Sequence, residues 1–117
     1  MSTSVPFQYT LTASTNLVQV RGGGTMAANL KGWIIDNTTA ATCYIKLGWY
    51  PANVVVTVGT TIPQITIPVT NGTTPIANSF PDGITGVGQL WMWVTGAAAA
   101  SDTTATAAGG LITLLLE

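Results

Sequence analysis

The side chains able to do acid–base, covalent or metal chemistry are few. The cations are Arg21, Lys31 and Lys46, the carboxylates are Asp36, Asp82, Asp102 and Glu117, the one thiol is Cys43, and histidine is absent. Without histidine the usual general base near neutral pH is missing. Neither a Ser-His-Asp nor a Cys-His arrangement can then be assembled within one chain. A zinc site needs clustered Cys or His, and one cysteine is too few, so no metal and no cofactor is expected. The three aspartates are far apart and each sits in a turn setting: Asp36-Asn37 after a strand pattern, Pro81-Asp82-Gly83, and Ser101-Asp102 in an alanine-rich stretch. Turn and capping roles account for them, although folding could still pair two. Cys43 reads as a small buried hydrophobe. Gly22-Gly23-Gly24 lacks the Gly-Lys-Ser/Thr ending and the helix of a phosphate loop. The chain is therefore expected not to be an enzyme.

The aromatic residues carry more information. In Gln89-Leu90-Trp91-Met92-Trp93-Val94, period-two alternation puts Leu90, Met92 and Val94 on one face of a strand and Trp91 and Trp93 on the other, so both faces are apolar. The closing stretch repeats this, with Ile112, Leu114 and Leu116 opposite Leu111, Thr113 and Leu115. An antiparallel strand with one wet side alternates apolar and polar, so each second face needs a cover. Another subunit, a loop of the same chain, or a sugar stacked on the indoles would serve. Tryptophan and tyrosine are enriched at interface hot spots, which favours subunit contact through Trp91 and Trp93, then Trp49 and Tyr50.

Strands must position these residues. Thr, Val and Ile abound, and β-branched residues favour strands. Turn signals recur at 22–24, 37–39, 50–53, 71–72, 81–83 and 109–110, a rhythm that predicts a sandwich or a barrel. Eight strands are expected, at 5–12, 16–21, 29–36, 42–49, 54–58, 64–69, 89–95 and 111–116, with a further short one at 75–80. Pro63 and Pro68 cannot donate to a ladder, which puts the 64–69 strand at an edge or on a bulge. Only 97–108 invites a helix, through its alanines. Ser101, Asp102 and three threonines interrupt it and glycines bracket it, so a long surface loop is expected.

Length bounds the rest. The 117 residues make one domain, 1–117, with enough chain for a real core. Only 6% of residues are charged and the net charge is -1, against about 25% charged in an ordinary soluble domain. So little charge leaves Thr, Ser, Asn and Gly, or partner subunits, to cover the surface. Nucleic-acid binding and a polybasic membrane surface are excluded for want of clustered cations. No apolar run approaches the about 20 residues of a membrane span, and the N-terminus lacks the pattern of a signal peptide, so synthesis and folding in a cytoplasm are expected. The sequons at Asn37 and Asn71 read as chance in a threonine-rich chain.

The stretch 29–47, NLKGWIIDNTTAATCYIKL, resembles a pattern in small virion proteins of tailed bacteriophages. In order there follow Thr57-Val-Gly-Thr60, Pro63-Gln-Ile-Thr-Ile-Pro68, Pro81-Asp-Gly-Ile84, Val94-Thr-Gly-Ala-Ala98, Asp102-Thr-Thr104 and a closing apolar strand. The likeness spans roughly residues 29–116 and is carried by the ordered set rather than by any one piece. The segment 49–56 departs from it, being longer and more apolar. The resemblance implies an all-β, antiparallel, jelly-roll-like β-sandwich of about eight strands, of the kind found in capsid decoration, or cement, proteins. Such proteins sit on the shell as trimers that bridge capsomers, so the implied partners are further copies of the chain, as a homotrimer, and the major capsid protein, with the virion as location. No site residue carries over from that family. Residues 1–12 can also act as an extended arm laid on a neighbour. A tail, neck or fibre component of the virion, and a carbohydrate-binding adhesin using exposed tryptophan faces, are the alternatives.

Overall fold

A computed structural model describes residues 5–21, 29–37, 41–70, 72 and 75–117. Eight strands follow one another: β1 (Val5–Thr10), β2 (Val18–Arg21), β3 (Asn29–Asp36), β4 (Cys43–Tyr50), β5 (Ile65–Val69), β6 (Ile76–Thr85), β7 (Gln89–Thr95) and β8 (Leu111–Leu116). They form two antiparallel four-stranded sheets, ordered β1-β8-β3-β6 and β2-β7-β4-β5. Successive strands alternate between the sheets except where β4 runs into β5, which is the jelly-roll arrangement of two Greek keys. The fold class read from the sequence is thus observed.

The alternation explains the core. Ile112, Leu114 and Leu116 of β8 pair with Tyr9, Phe7 and Val5 on one side and with Ile35, Trp33 and Leu30 on the other. In the second sheet Ile45, Leu47 and Trp49 pair with Val94, Met92 and Leu90. These residues from β3, β4, β7 and β8, with Cys43, Ile67 and Val69, are buried between the sheets. Cys43 is a core residue, and burial raises its thiol pKa.

Two expected elements change. No strand forms at 54–58. Those residues lie in the 51–64 connection, where the Thr57 N–H donates to Thr61 Oγ1 and the Thr60 and Thr61 N–H groups donate to the Thr57 carbonyl. Local threonine bonding takes up these backbone groups in place of a ladder. The short strand expected at 75–80 instead runs to Thr85, straight through the Pro81-Asp82-Gly83 turn signal. The tripeptide forms a bulge: pairing jumps from Leu30↔Ile84 to Gly32↔Ser79, with Gly83 at φ +74°. An edge strand tolerates a proline and an extra loop of chain that an interior strand could not. The 96–110 connection is a loop, as expected, with one turn closed by the Asp102 N–H on the Ala99 carbonyl.

All four sheet edges resist pairing with another chain. Pro6 in β1, Pro68 in β5 and Pro81 in β6 each remove a donor, and β2 is four residues long and ends in Arg21. The signals at Gly22-Gly23-Gly24, Thr38, Thr39, Asn71 and Thr73, and the first four residues of the proposed arm, lie outside the described residues.

Candidate functional site: a roofed aromatic face

The outer face of the second sheet follows from register. Trp93 lies opposite Lys46, Trp91 opposite Gly48 and Gln89 opposite Tyr50, with Gln19 of β2 beside Trp91 and Thr66 of β5 beside Lys46. Tyr50 folds back over Gly48, where any Cβ would overlap its ring. It meets the Trp93 ring at a centroid distance of 6.2 Å and donates its hydroxyl to the Ile62 carbonyl at 2.6 Å. Burial raises the Tyr50 pKa.

Two loops of the same chain roof this face. From one end comes the 51–64 connection, pinned by a two-way clasp in which Trp49 N–H donates to Gln64 Oε1 and Gln64 Nε2 donates to the Trp49 carbonyl, each at 3.0 Å. From the other end comes the 96–110 connection, organised by Asp102, whose Oδ2 accepts from the Ala97 N–H, the Thr104 N–H and the Thr104 hydroxyl. Those bonds hold the Asp102 carboxyl below its ordinary pKa, the Thr104 hydroxyl contributing most. The loops meet at Gly59, whose backbone at φ +87° leaves no room for a side chain beside Thr103. Under the roof Trp93 is 0% exposed, and so is Lys46.

Lys46 donates to the Ala99 carbonyl at 2.7 Å. Burial lowers its pKa, opposed by the charge of Asp102. The ammonium is disfavoured in the folded state, so this penalty is full below the depressed pKa and is relieved as pH rises toward the ordinary value of 10.5. Lys46→Met, which keeps the stem and removes the charge, is expected to raise stability by on the order of 1 kcal/mol at neutral pH. The advantage should shrink through that alkaline window. Tyr50 titrates nearby with the opposite sign, so the check is the difference between urea unfolding curves of the two proteins at each pH. A Lys46→Met protein less stable than wild type at pH 7 would show that the Ala99 bond outweighs desolvation.

The structure therefore divides the residues expected at a subunit contact. Trp49 points between the sheets into the core, and Trp93 is sealed by the roof, so neither ring lies on the surface of the folded chain. The physical reason is cover from within: the alanine- and threonine-rich loop supplies what another subunit was expected to supply. Trp91 and Tyr50 are partly exposed at the rim. The Nε1 atoms of Trp91 and Trp93 are buried with no acceptor among the described residues.

The first sheet is different. Its outer face carries Pro6, Gln8 and Thr10, then Leu111, Thr113 and Leu115, then Gly32, Ile34 and Asp36, then Ala77 and Ser79. Trp33, Ile34, Ala77, Asn78, Ser79 and Leu115 line a shallow depression on it. The missing side chain of Gly32, forced by the Asn78 carbonyl against it, helps to make that hollow. Ile34 and Leu111 are exposed. Asp36 is the one ionisable side chain in these rows.

No protein-family model, curated protein or solved structure matches the chain. Among the described residues there is no group of three or more His, Cys, Asp or Glu placed to hold a metal, and no helix long and apolar enough to cross a membrane. Asp36, Asp82 and Asp102 stand at the end of β3, in the β6 bulge and in the 96–110 loop, in three separate settings.

Proposed function

We propose that the chain is a structural protein of a tailed-phage virion, a decoration protein that holds the head together through subunit contacts. The open face of the first sheet carries this reading. A sheet face turned to water normally bears charged side chains, yet this one presents Pro6, Ile34, Ala77, Leu111 and Leu115 among the uncharged Gln8, Thr10, Thr113 and Ser79, with Asp36 at one corner and the Lys31–Glu117 pair at the β3 bulge. Such a face gains by meeting protein, at about 25 cal/mol per Å² of apolar area before association costs. Blunted sheet edges support the same reading, because they keep a chain with few charges from pairing strand to strand. In this assignment copies of the chain meet as a trimer through the first-sheet face, and repetition around a symmetric shell multiplies each weak contact. For the adhesin alternative, stacking a sugar on Trp93 would require the roof to lift, which leaves Trp91 at the rim as its indole.

The test is a count. Quantitative mass spectrometry of particles purified from the virus that encodes the chain should find hundreds of copies per particle. A dozen or fewer would move the protein to the tail or neck, and none would remove it from the virion. The isolated protein should run at the mass of three chains in light scattering, and a strict monomer at high micromolar concentration would remove the first-sheet contact.

A further inference from the structure

The segment that crosses Trp93 is built as a flap. It leaves the sheet at Thr95, the end of β7, and is moored again at Thr106. The Thr95 hydroxyl donates to the Ala97 carbonyl, while Thr106 is buried and bonded to Thr12, Ser14 and Asn16. The Gly96 N–H closes the neck by donating to the Thr104 carbonyl and hydroxyl, and Asp102 ties Ala97 to Thr104. Residues 97–104 are thus one pre-shaped piece. Its grip on the sheet is slight. Nothing in it is larger than threonine, and all but Ala100 and Asp102 are exposed, so it buries little apolar area of its own. Among the described residues one side-chain bond reaches its tip from the sheet, from Lys46 Nζ to the Ala99 carbonyl, and the Thr103 methyl sits beside Gly59 of the other loop.

We infer that residues 97–104 are a lid over the Trp93 face, closed at rest and loaded to open by the charge of Lys46. Closure leaves polar donors short of partners. The Lys46 ammonium carries three N–H groups at 0% exposure, and the Ala99 carbonyl is its one acceptor among the described residues. The buried Trp93 Nε1 has no acceptor among them. Donors kept from water without partners cost free energy, and both regain hydration when the lid lifts. Burial of the Trp93 ring pulls the other way and keeps the lid down. Lifting needs no strand to unpair. Thr106 stays moored, and the flap keeps the bonds of Asp102 and Gly96 that shape it. Opening is therefore a local event that costs less than unfolding the sandwich. Lys46 acts in it as a spring rather than a latch, because the ammonium gains more from water than its single bond supplies. The open form presents Trp93, Tyr50 and Lys46 together on the outer face of an otherwise unchanged sheet.

The experiment follows hydrogen exchange of the Trp93 indole N–H by NMR, with the signal assigned through Trp93→Phe, against the backbone amides of β4 and β7. In wild type the indole should exchange at least about a hundredfold faster than those amides, as local opening allows. Its rate should barely change at low urea, since a lid exposes little surface. Lys46→Met removes the charge and should slow the indole about fivefold. Tyr50→Phe cuts the bond to Ile62 on the other loop and should leave the rate unchanged. An indole that exchanges only at the rate and with the urea slope of the β7 amides overturns the lid, and this comparison needs no variant to fold. Exchange unchanged or faster in Lys46→Met overturns the loading by charge. Faster exchange in Tyr50→Phe makes 51–64 the moving part and overturns the assignment to 97–104.

Discussion

Trp93→Ala should lower the free energy of unfolding by about 3–5 kcal/mol, the range for removing a buried aromatic side chain. The indole is 0% exposed, with Tyr50 on one side, Lys46 opposite it in the ladder, and the 96–110 loop above. That loop cannot sink into the space left behind. Asp102 and Thr104 hold its shape, Lys46 holds Ala99, and alanine side chains are too short to reach down. The cavity term should therefore remain nearly whole, and a melting temperature lower by roughly 10–25 °C is expected for a domain of this size. Trp93→Phe is the control. Its loss should be much smaller, because the indole N–H it deletes has no acceptor among the described residues and so returns part of the desolvation cost. Chemical denaturation of the three proteins decides the matter. A Trp93→Ala protein within about 1 kcal/mol of wild type would mean that the roof stands open in solution, and Trp93 would return to the surface as a contact residue.

Asn16→Ala is expected to cost about 2–4 kcal/mol, a large effect for one polar side chain in a loop. Asn16 is buried, with φ at +53°, a left-handed conformation that asparagine accepts more readily than alanine. Its Oδ1 accepts from the Tyr9 hydroxyl, the Thr12 N–H and the Thr12 hydroxyl. Its Nδ2 donates to the Thr12 and Ser14 carbonyls and to Thr106 Oγ1 at 2.8 Å. One amide thus ties the β1–β2 connection to the far end of the roof loop. Alanine would take the acceptor from the Thr12 N–H and the Tyr9 hydroxyl in a site with little room, while the Thr12 and Ser14 carbonyls keep their bonds from Thr106. Asn16→Gly separates the two causes: it accepts the backbone conformation but makes none of the bonds, so it should recover about 1 kcal/mol relative to alanine. Urea unfolding measures both. A loss below about 1 kcal/mol for Asn16→Ala would show that water replaces the amide without penalty.

Runs of apolar and β-branched residues set off by turn residues were enough to set the ends of β3, β7 and β8. It failed at Val54, Val55 and Val56, which look like a strand and form a loop, and at Pro81-Asp82-Gly83, which looks like a turn and lies within β6. Both errors have one source: whether a β-prone segment pairs depends on a neighbouring strand, and a single segment does not contain its neighbour. Asn16 and Asp102 read as ordinary turn residues because most of their partners are local; what the sequence does not show is that Asn16 also reaches Thr106 and that the loop shaped by Asp102 lies over Lys46.

By itself the chain's order of residues determined an all-β sandwich, a shortage of catalytic groups, an edge or bulge for the proline-bearing β5, and the fact that β7 and β8 need cover on two sides. These are local properties, set by side-chain type and by the two-residue repeat of an extended backbone. Only the tertiary structure decided who provides the cover. It laid 51–64 and 96–110 across Trp93 and left the Ile34 and Leu115 face bare, because cross-strand register and loop path depend on residues distant in sequence meeting in space.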